Sequence, residues 1–275
     1  MAALTAKGMR MKLYLSVDLE GVTGVTAWED VRKGTADHSY FRQQMTMEVN
    51  AICETALNNG AKEVLVKDAH ATARNLLMDQ VPRGVKLFSG WARDPFVMMS
   101  GLDKSFDAVM FSGYHAGAYF NDNPLAHTMN SDSIIYFKIN GQYISEFVLN
   151  AYIAAYHGVP VIGIAGDEGV CRQAQEYIPN IVAMPVKKGS GNGVISLGRD
   201  EALDLIRQGT EQAMSLDYSQ CLLKLPQHFQ CELCYRNHVL AHRASFYKGV
   251  RIVDSHTVAW EADDFYEVLR THFFI

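Results

Sequence analysis

The sequence has no long apolar run, few cysteines and no cluster of positive charge. No stretch of about 18 apolar residues occurs in its 275 residues, so no segment reads as a membrane-spanning helix. The five cysteines are scattered and odd in number, which argues against a disulfide framework; they read as reduced thiols of a cytoplasmic protein. Lysine and arginine number 25 against 30 aspartates and glutamates, a net charge of −5. Phosphate binding needs concentrated basic charge, so neither nucleic acid nor an acidic membrane surface is expected as a partner. There is no Walker sequence and no Gly-x-Ser-x-Gly elbow. GSGNG at 189–193 lacks the strand and helix setting of a dinucleotide site and reads as a flexible loop. CELC at 231–234, followed by His238 and His242, leaves far too short a Cys-to-His gap for a zinc finger. It reads as buried thiols near a strand, with the two histidines on a helix surface. The opening residues 1–10 are expected to be a loose tail and not a secretory leader, with Met11 reading as an alternative start.

What is present is alternation. KLYLSVD (12–18), EVLVKDAH (63–70), a segment within SFDAVMFSGYHAG (105–117) and PVIGIAGDEG (160–169) read as buried strands. Between them, 38–60 has helical apolar spacing and stops at Asn-Asn-Gly, and 146–159 reads as a helix closed by Gly158. Residues 133–146 read as a hairpin turning at Asn140-Gly141. A helix near 168–177, the strand IVAMPV and a helix over 199–215 follow. The expected fold is α/β, a mostly parallel sheet flanked by helices. A smaller α+β C-terminal part is expected from QHFQCELCYR and GVRIVDSHTVAWEA, each a strand followed by a helical stretch. The expected division is a catalytic domain over 1–183 and a smaller domain over 184–275.

The unusual polar residues fall at strand ends. Asp18 and Glu20 end the first strand, His70 lies past the second and His115 past the third. Ligands of open α/β sheets bind in the crevice beyond the carboxyl ends of the strands. Glu146, in the first turn of a helix, is a candidate for the same edge. Residues two apart on an extended strand point to one face about 7 Å apart, which suits two carboxylates of one metal cluster. Taken singly, an Asp at a strand end is more often a turn cap, and such a Glu a solvated helix carboxylate. Their shared position makes the case. Oxygen and imidazole ligands suit zinc, and manganese or cobalt also fit.

SVDLEG (16–21), KDAH (67–70), GYHA (113–116), AHTM (126–129) and SEFVLNAYIAAYHGVPV (145–161) together resemble the D-aminopeptidase family, zinc peptidases of bacterial dipeptide-transport operons. The resemblance implies two zinc ions: Asp18 bridging both, Glu20 and His70 completing one site, His115 and Glu146 the other. It implies that His127 is the catalytic histidine, acting as general acid/base or as donor to the oxyanion. The implied activity is removal of N-terminal residues from short peptides, with preference for D-residues, by water that the metals activate. The implied assembly is a homo-oligomer, a ring-like decamer with sites facing an inner cavity. Two other readings stand beside it. One keeps the metals but changes the bond, as an amidase or a phosphoester hydrolase; the latter would want cationic clamps, for which Lys187 and Lys188 are candidates. The other is a non-catalytic metal-binding scaffold subunit.

Overall fold

The computed structural model describes residues 11–275; the expected loose tail at 1–10 lies outside the described residues. The chain runs β1 (Met11–Val17), α1 (Trp28–Val31), α2 (Ala36–Asn58), β2 (Ala61–Asp68), β3 (Val85–Phe88), β4 (Ala108–Tyr114), β5 (Ile134–Ile139), β6 (Gln142–Tyr143) and α3 (Glu146–Tyr156). It continues through β7 (Val161–Asp167), α4 (Glu168–Tyr177), β8 (Val182–Ser190), β9 (Gly193–Ser196), α5 (Arg199–Met214), β10 (Phe229–Tyr235), α6 (His238–Ala244), β11 (Arg251–Ile252), β12 (Thr257–Ala262) and α7 (Phe265–Phe274).

Two sheets result. The first has seven strands in the order β3-β2-β1-β4-β7-β8-β9, parallel except for the β8–β9 hairpin. The second has five antiparallel strands in the order β11-β12-β10-β5-β6. β1 and β4 are buried almost throughout, as the central strands of a sheet covered on both faces must be. The strand order reverses between β1 and β4, which makes the gap beyond their carboxyl ends the switch point where such sheets bind ligands.

Local chemistry explains the element limits. Thr35 caps α2 by accepting from the His38 N–H, and the helix stops at Asn59 and the left-handed Gly60. Asn140 and Gly141 both have positive φ, the turn that a tight hairpin needs. Ser145 caps α3 and Asp167 caps α4. Nine of the eleven residues of α3 are buried; it packs between β4 and α7, so its first residue, Glu146, is held in the interior.

The sheets share the chain out of order. β5 and β6 precede residue 183 but belong to the second sheet, while β9 and α5 follow it and stay with the first. The expected division at 183/184 falls within β8. The Gly-rich 189–193 is the tight turn of the β8–β9 hairpin, with Ser190 paired to Gly193; the apolar run after it is only a few residues long and gave no strand signal. β3 and α1 were equally illegible because one is four half-buried residues and the other a single turn. Cys231 and Cys234 are buried thiols on β10, and His238 and His242 are exposed on α6.

The ends of β1 and β4 touch backbone to backbone. The Gly21 N–H donates to the Gly113 carbonyl at 2.7 Å. A Cβ on Gly21 would lie 1.8 Å from the Tyr114 carbonyl oxygen, and one on Gly113 (φ +69°) 2.1 Å from that of Asp18. Gly21→Ala is therefore expected to cost about 3 kcal/mol or more. Gly141→Ala, where an added Cβ meets nothing within 4 Å, is expected to cost only the about 1–2 kcal/mol of its left-handed backbone. Urea denaturation of the two variants checks the difference.

Candidate metal centre

β1 does not stay extended through its carboxylates. The strand ends at Val17, and 18–21 turn instead, with the Val22 N–H donating to the Leu19 carbonyl. The turn still converges both side chains: Asp18 Oδ1 and Glu20 Oε2 lie 3.2 and 2.9 Å from His70 Nδ1. Asp18 Oδ2 lies 3.6 Å from His115 Nε2, which is also 3.7 Å from Glu146 Oε2. His127 Nε2 is 3.5 Å from Glu146 Oε1, and its ring stacks on His115 with centroids 4.4 Å apart. All six residues named from the sequence thus meet in one place. His127 stands among them, since its Nε2 shares a possible ligand group with His115 and Glu146, as Asp18 and Glu20 do with His115.

The three histidines share one arrangement. His70 Nε2–H donates to the Val31 carbonyl at 2.9 Å, His115 Nδ1–H to that of Ala116 at 2.9 Å and His127 Nδ1–H to that of Leu125 at 2.8 Å. Each ring therefore turns its other nitrogen toward the carboxylates, the pattern by which a backbone carbonyl fixes the tautomer of a metal-ligating histidine. His115 Nε2 is buried without a hydrogen-bond partner. Ligand atoms about 2.0–2.2 Å from a tetrahedral zinc lie roughly 3.3–3.6 Å from each other, which matches its spacing from the carboxylates. The donor set fits a cation.

Charge makes the same point. Asp18, Glu20 and Glu146 are buried together. Burial, then the charge of Glu20, pushes Asp18 well above the usual carboxylate range. Burial acts upward on Glu20 and Glu146 as well, but the charge of His70 holds Glu20 well below that range, and His115 brings Glu146 down to about 2. Burial depresses the histidines, yet Glu20 lifts His70 well above its ordinary value and Glu146 lifts His115 to about 10. Without metal, protons on His70, His115 and Asp18 offset the negative charge of the cluster.

Other residues hold the centre in shape, and apart from Lys187, named as a candidate clamp, the sequence did not single them out. Asp167 caps α4 and also accepts from the Ala116 N–H and from Asn123, whose amide donates onward to the Glu20 carbonyl. Asp68 accepts from Asn75, which donates to the His70 carbonyl. The buried Lys187 donates to the carbonyls of Glu20 and Val25, and Lys188 pairs with Glu168, so neither lysine serves as a substrate clamp. Asp68 and Asp167 each follow an apolar run, a signal available in KDAH and AGD; nothing local marks the others.

The centre opens into a cavity of about 1160 Å³ walled by Trp28, Trp91 and Met129 among others. Of the seven non-glycine residues with positive φ among the described residues, Ala71, Arg93, Val97 and Met129 line it. Such backbone costs about 1–3 kcal/mol each and gathers at functional sites. At Met129 it aims the N–H at Glu146 Oε1, 2.7 Å away.

The raised value of His115, about 10 against 6.5, gives a stabilisation present in full below about pH 6.5 and lost as pH rises through about 10. Metal-free protein is expected to melt at a lower temperature at about pH 9 than at about pH 6.5. Zinc, which displaces those protons, is expected to raise the melting temperature more at the higher pH. Calorimetry with and without zinc at both pH values checks this.

The sequence model of the D-aminopeptidase family matches residues 11–273. The D-aminopeptidase of Bacillus subtilis (strain 168) is 34% identical over 262 residues, 94% of each chain. The solved structure of the Zn-dependent D-aminopeptidase DppA from Bacillus subtilis, described as a self-compartmentalizing protease, superimposes with a TM-score of 0.89 at 32% identity, covering 95% of both chains. With its strand-end carboxylates and histidines gathered on a doubly covered α/β sheet, the chain belongs to the D-aminopeptidase family.

Proposed function

We propose that this protein is a binuclear zinc aminopeptidase that removes D-residues from the N-terminus of short peptides. The observation that carries the reading is the set of three imidazoles, each fixed by a backbone carbonyl and each aiming its free nitrogen at buried carboxylates. In this reading Asp18, Glu20 and His70 would hold one zinc ion, and Asp18, His115 and Glu146 the other. Manganese and cobalt are alternative occupants by ligand type. Bound zinc supplies Lewis acidity, polarising the scissile carbonyl and lowering the pKa of water at the site.

The chain's own residues do the rest. With their charge taken up by the metals, the carboxylates would leave the floor to a neutral N-terminal amine, which favours attack at the N-terminal bond. His127 is the least buried of the three histidines and faces the cavity. Its Nδ1–H is committed to Leu125, which leaves Nε2 as the nitrogen that passes a proton to the departing amine or donates to the oxyanion. Trp28 lies beside it on the cavity wall, 5.5 Å from the His127 ring.

The proposed assembly is a homodecamer enclosing its active sites. The description of the Bacillus subtilis relative as self-compartmentalizing supports it, as do exposed apolar side chains such as Met78 and Phe246. The proposed location is the cytoplasm, where the five free, buried thiols would stay reduced.

Zinc-loaded protein is expected to hydrolyse D-Ala-D-Ala faster than L-Ala-L-Ala and to stop when a chelator is added. Cleavage of the L-peptide alone would overturn the stereochemical preference; cleavage of neither would overturn the aminopeptidase reading in favour of an amidase or a non-catalytic subunit. Asp18→Ala is expected to lose both metal and activity. His127→Ala is expected to keep its metal, measured by atomic emission, while losing about 10²–10⁴-fold in kcat; full turnover in that variant would refute its role.

A further inference from the structure

The cavity differs between floor and mouth. Asp18, Glu20 and Glu146 lie at the floor, and Arg32, Lys33, Arg74 and Arg93 come from three loops to the mouth. All four cations are exposed. Among the described residues none of them has a carboxylate oxygen within 4.0 Å. Two acids, Asp94 and Asp132, share the lining, and Asp94 Oδ1 is already taken by the Phe96 N–H and the Ser100 hydroxyl. The mouth therefore keeps an excess of positive charge, a field that draws an anion.

Arg32 is the cation best fixed to the centre. The carbonyl of the preceding residue, Val31, accepts from His70. The Arg32 N–H closes α1 on the Trp28 carbonyl at 3.0 Å. Its guanidinium lies over the Trp28 ring, 5.7 Å from the centroid, and that ring is 5.5 Å from His127. The guanidinium is therefore no farther from the His127 ring than about three extended residues reach at about 3.3–3.6 Å each, within the range of a dipeptide or tripeptide. A planar guanidinium matches a carboxylate with two parallel hydrogen bonds, which a lysine does not.

We propose that Arg32, aided by Lys33, Arg74 and Arg93, binds the C-terminal carboxylate of a short peptide substrate. The inference rests on the aminopeptidase reading above and deepens it. The site then reads both ends of its substrate, the N-terminal amine at the floor and the carboxylate at the mouth, and a chain much longer than three residues carries its carboxylate past Arg32.

The test compares D-Ala-D-Ala with its C-terminal amide, using zinc-loaded wild type, Arg32→Gln and Arg32→Lys. Wild type is expected to favour the acid by about ten- to a hundredfold in kcat/KM. Arg32→Gln is expected to erase that preference through KM for the acid, leaving kcat and the amide's kinetics in place, and Arg32→Lys to restore part of it. Equal cleavage of acid and amide by wild type, or equal slowing of both in Arg32→Gln, overturns the proposal while the aminopeptidase reading stands. If wild type cleaves neither, that reading falls, and titration calorimetry with the same two peptides decides about Arg32. Tighter binding of the acid, lost in Arg32→Gln, supports its role, and equal affinity overturns it.

Discussion

Three carboxylates that repel one another in a water-poor interior set the terms for everything around them. Asp18, Glu20 and Glu146 are buried within reach of His70, His115 and His127. A bare buried charge costs several kcal/mol, and three together cost more than packing returns. Positive charge must therefore be present, as protons on the imidazoles or as metal. The backbone carbonyls of Val31, Ala116 and Leu125 keep both options open. By occupying one nitrogen of each ring they leave the other free to take either a proton or a cation.

Such a cluster survives only on a scaffold that does not relax away from it. The close approach at Gly21 and Gly113 locks the end of β1 to the end of β4, leaving no room even for a methyl group. Asp167 and Asn123 tie the loop after β4 to the Glu20 carbonyl, which Lys187 grips from β8. Burial pulls the Lys187 ammonium down to about 8, with Asp167 and Glu48 acting to keep it charged. The supporting layer is thus polar and hydrogen-bonded through Asp167, Asn123 and Lys187. The hairpin β5–β6 belongs to the second sheet, yet it leads directly into α3 and so delivers Glu146 to the first. The two sheets are joined at the centre itself.

The cavity extends this logic outward. The carboxylates and histidines of the floor and the cations of the mouth divide the cavity into a candidate metal site and an anion-attracting rim. Strained backbone at Ala71, Arg93, Val97 and Met129 shows where the loops depart from their own preferences to build that wall.

The sequence by itself determined the α/β alternation, the hairpin at Asn140-Gly141 and the helix limits, because periodicity, caps and glycine stops act over a few residues. It also placed Asp18, Glu20, His70 and His115 at one edge, since parallel strands deliver their carboxyl ends to the same side. Tertiary structure alone decided what those residues do to one another. The carbonyl partners of the histidines, the stacking of His127 on His115 and the turn that replaces an extended Asp18–Glu20 all depend on contacts between distant segments. So do the ring of cations and the interleaving of the two sheets across residue 183. The reason is physical: local propensity fixes elements, whereas contacts between segments far apart in the chain exist only once the core has packed.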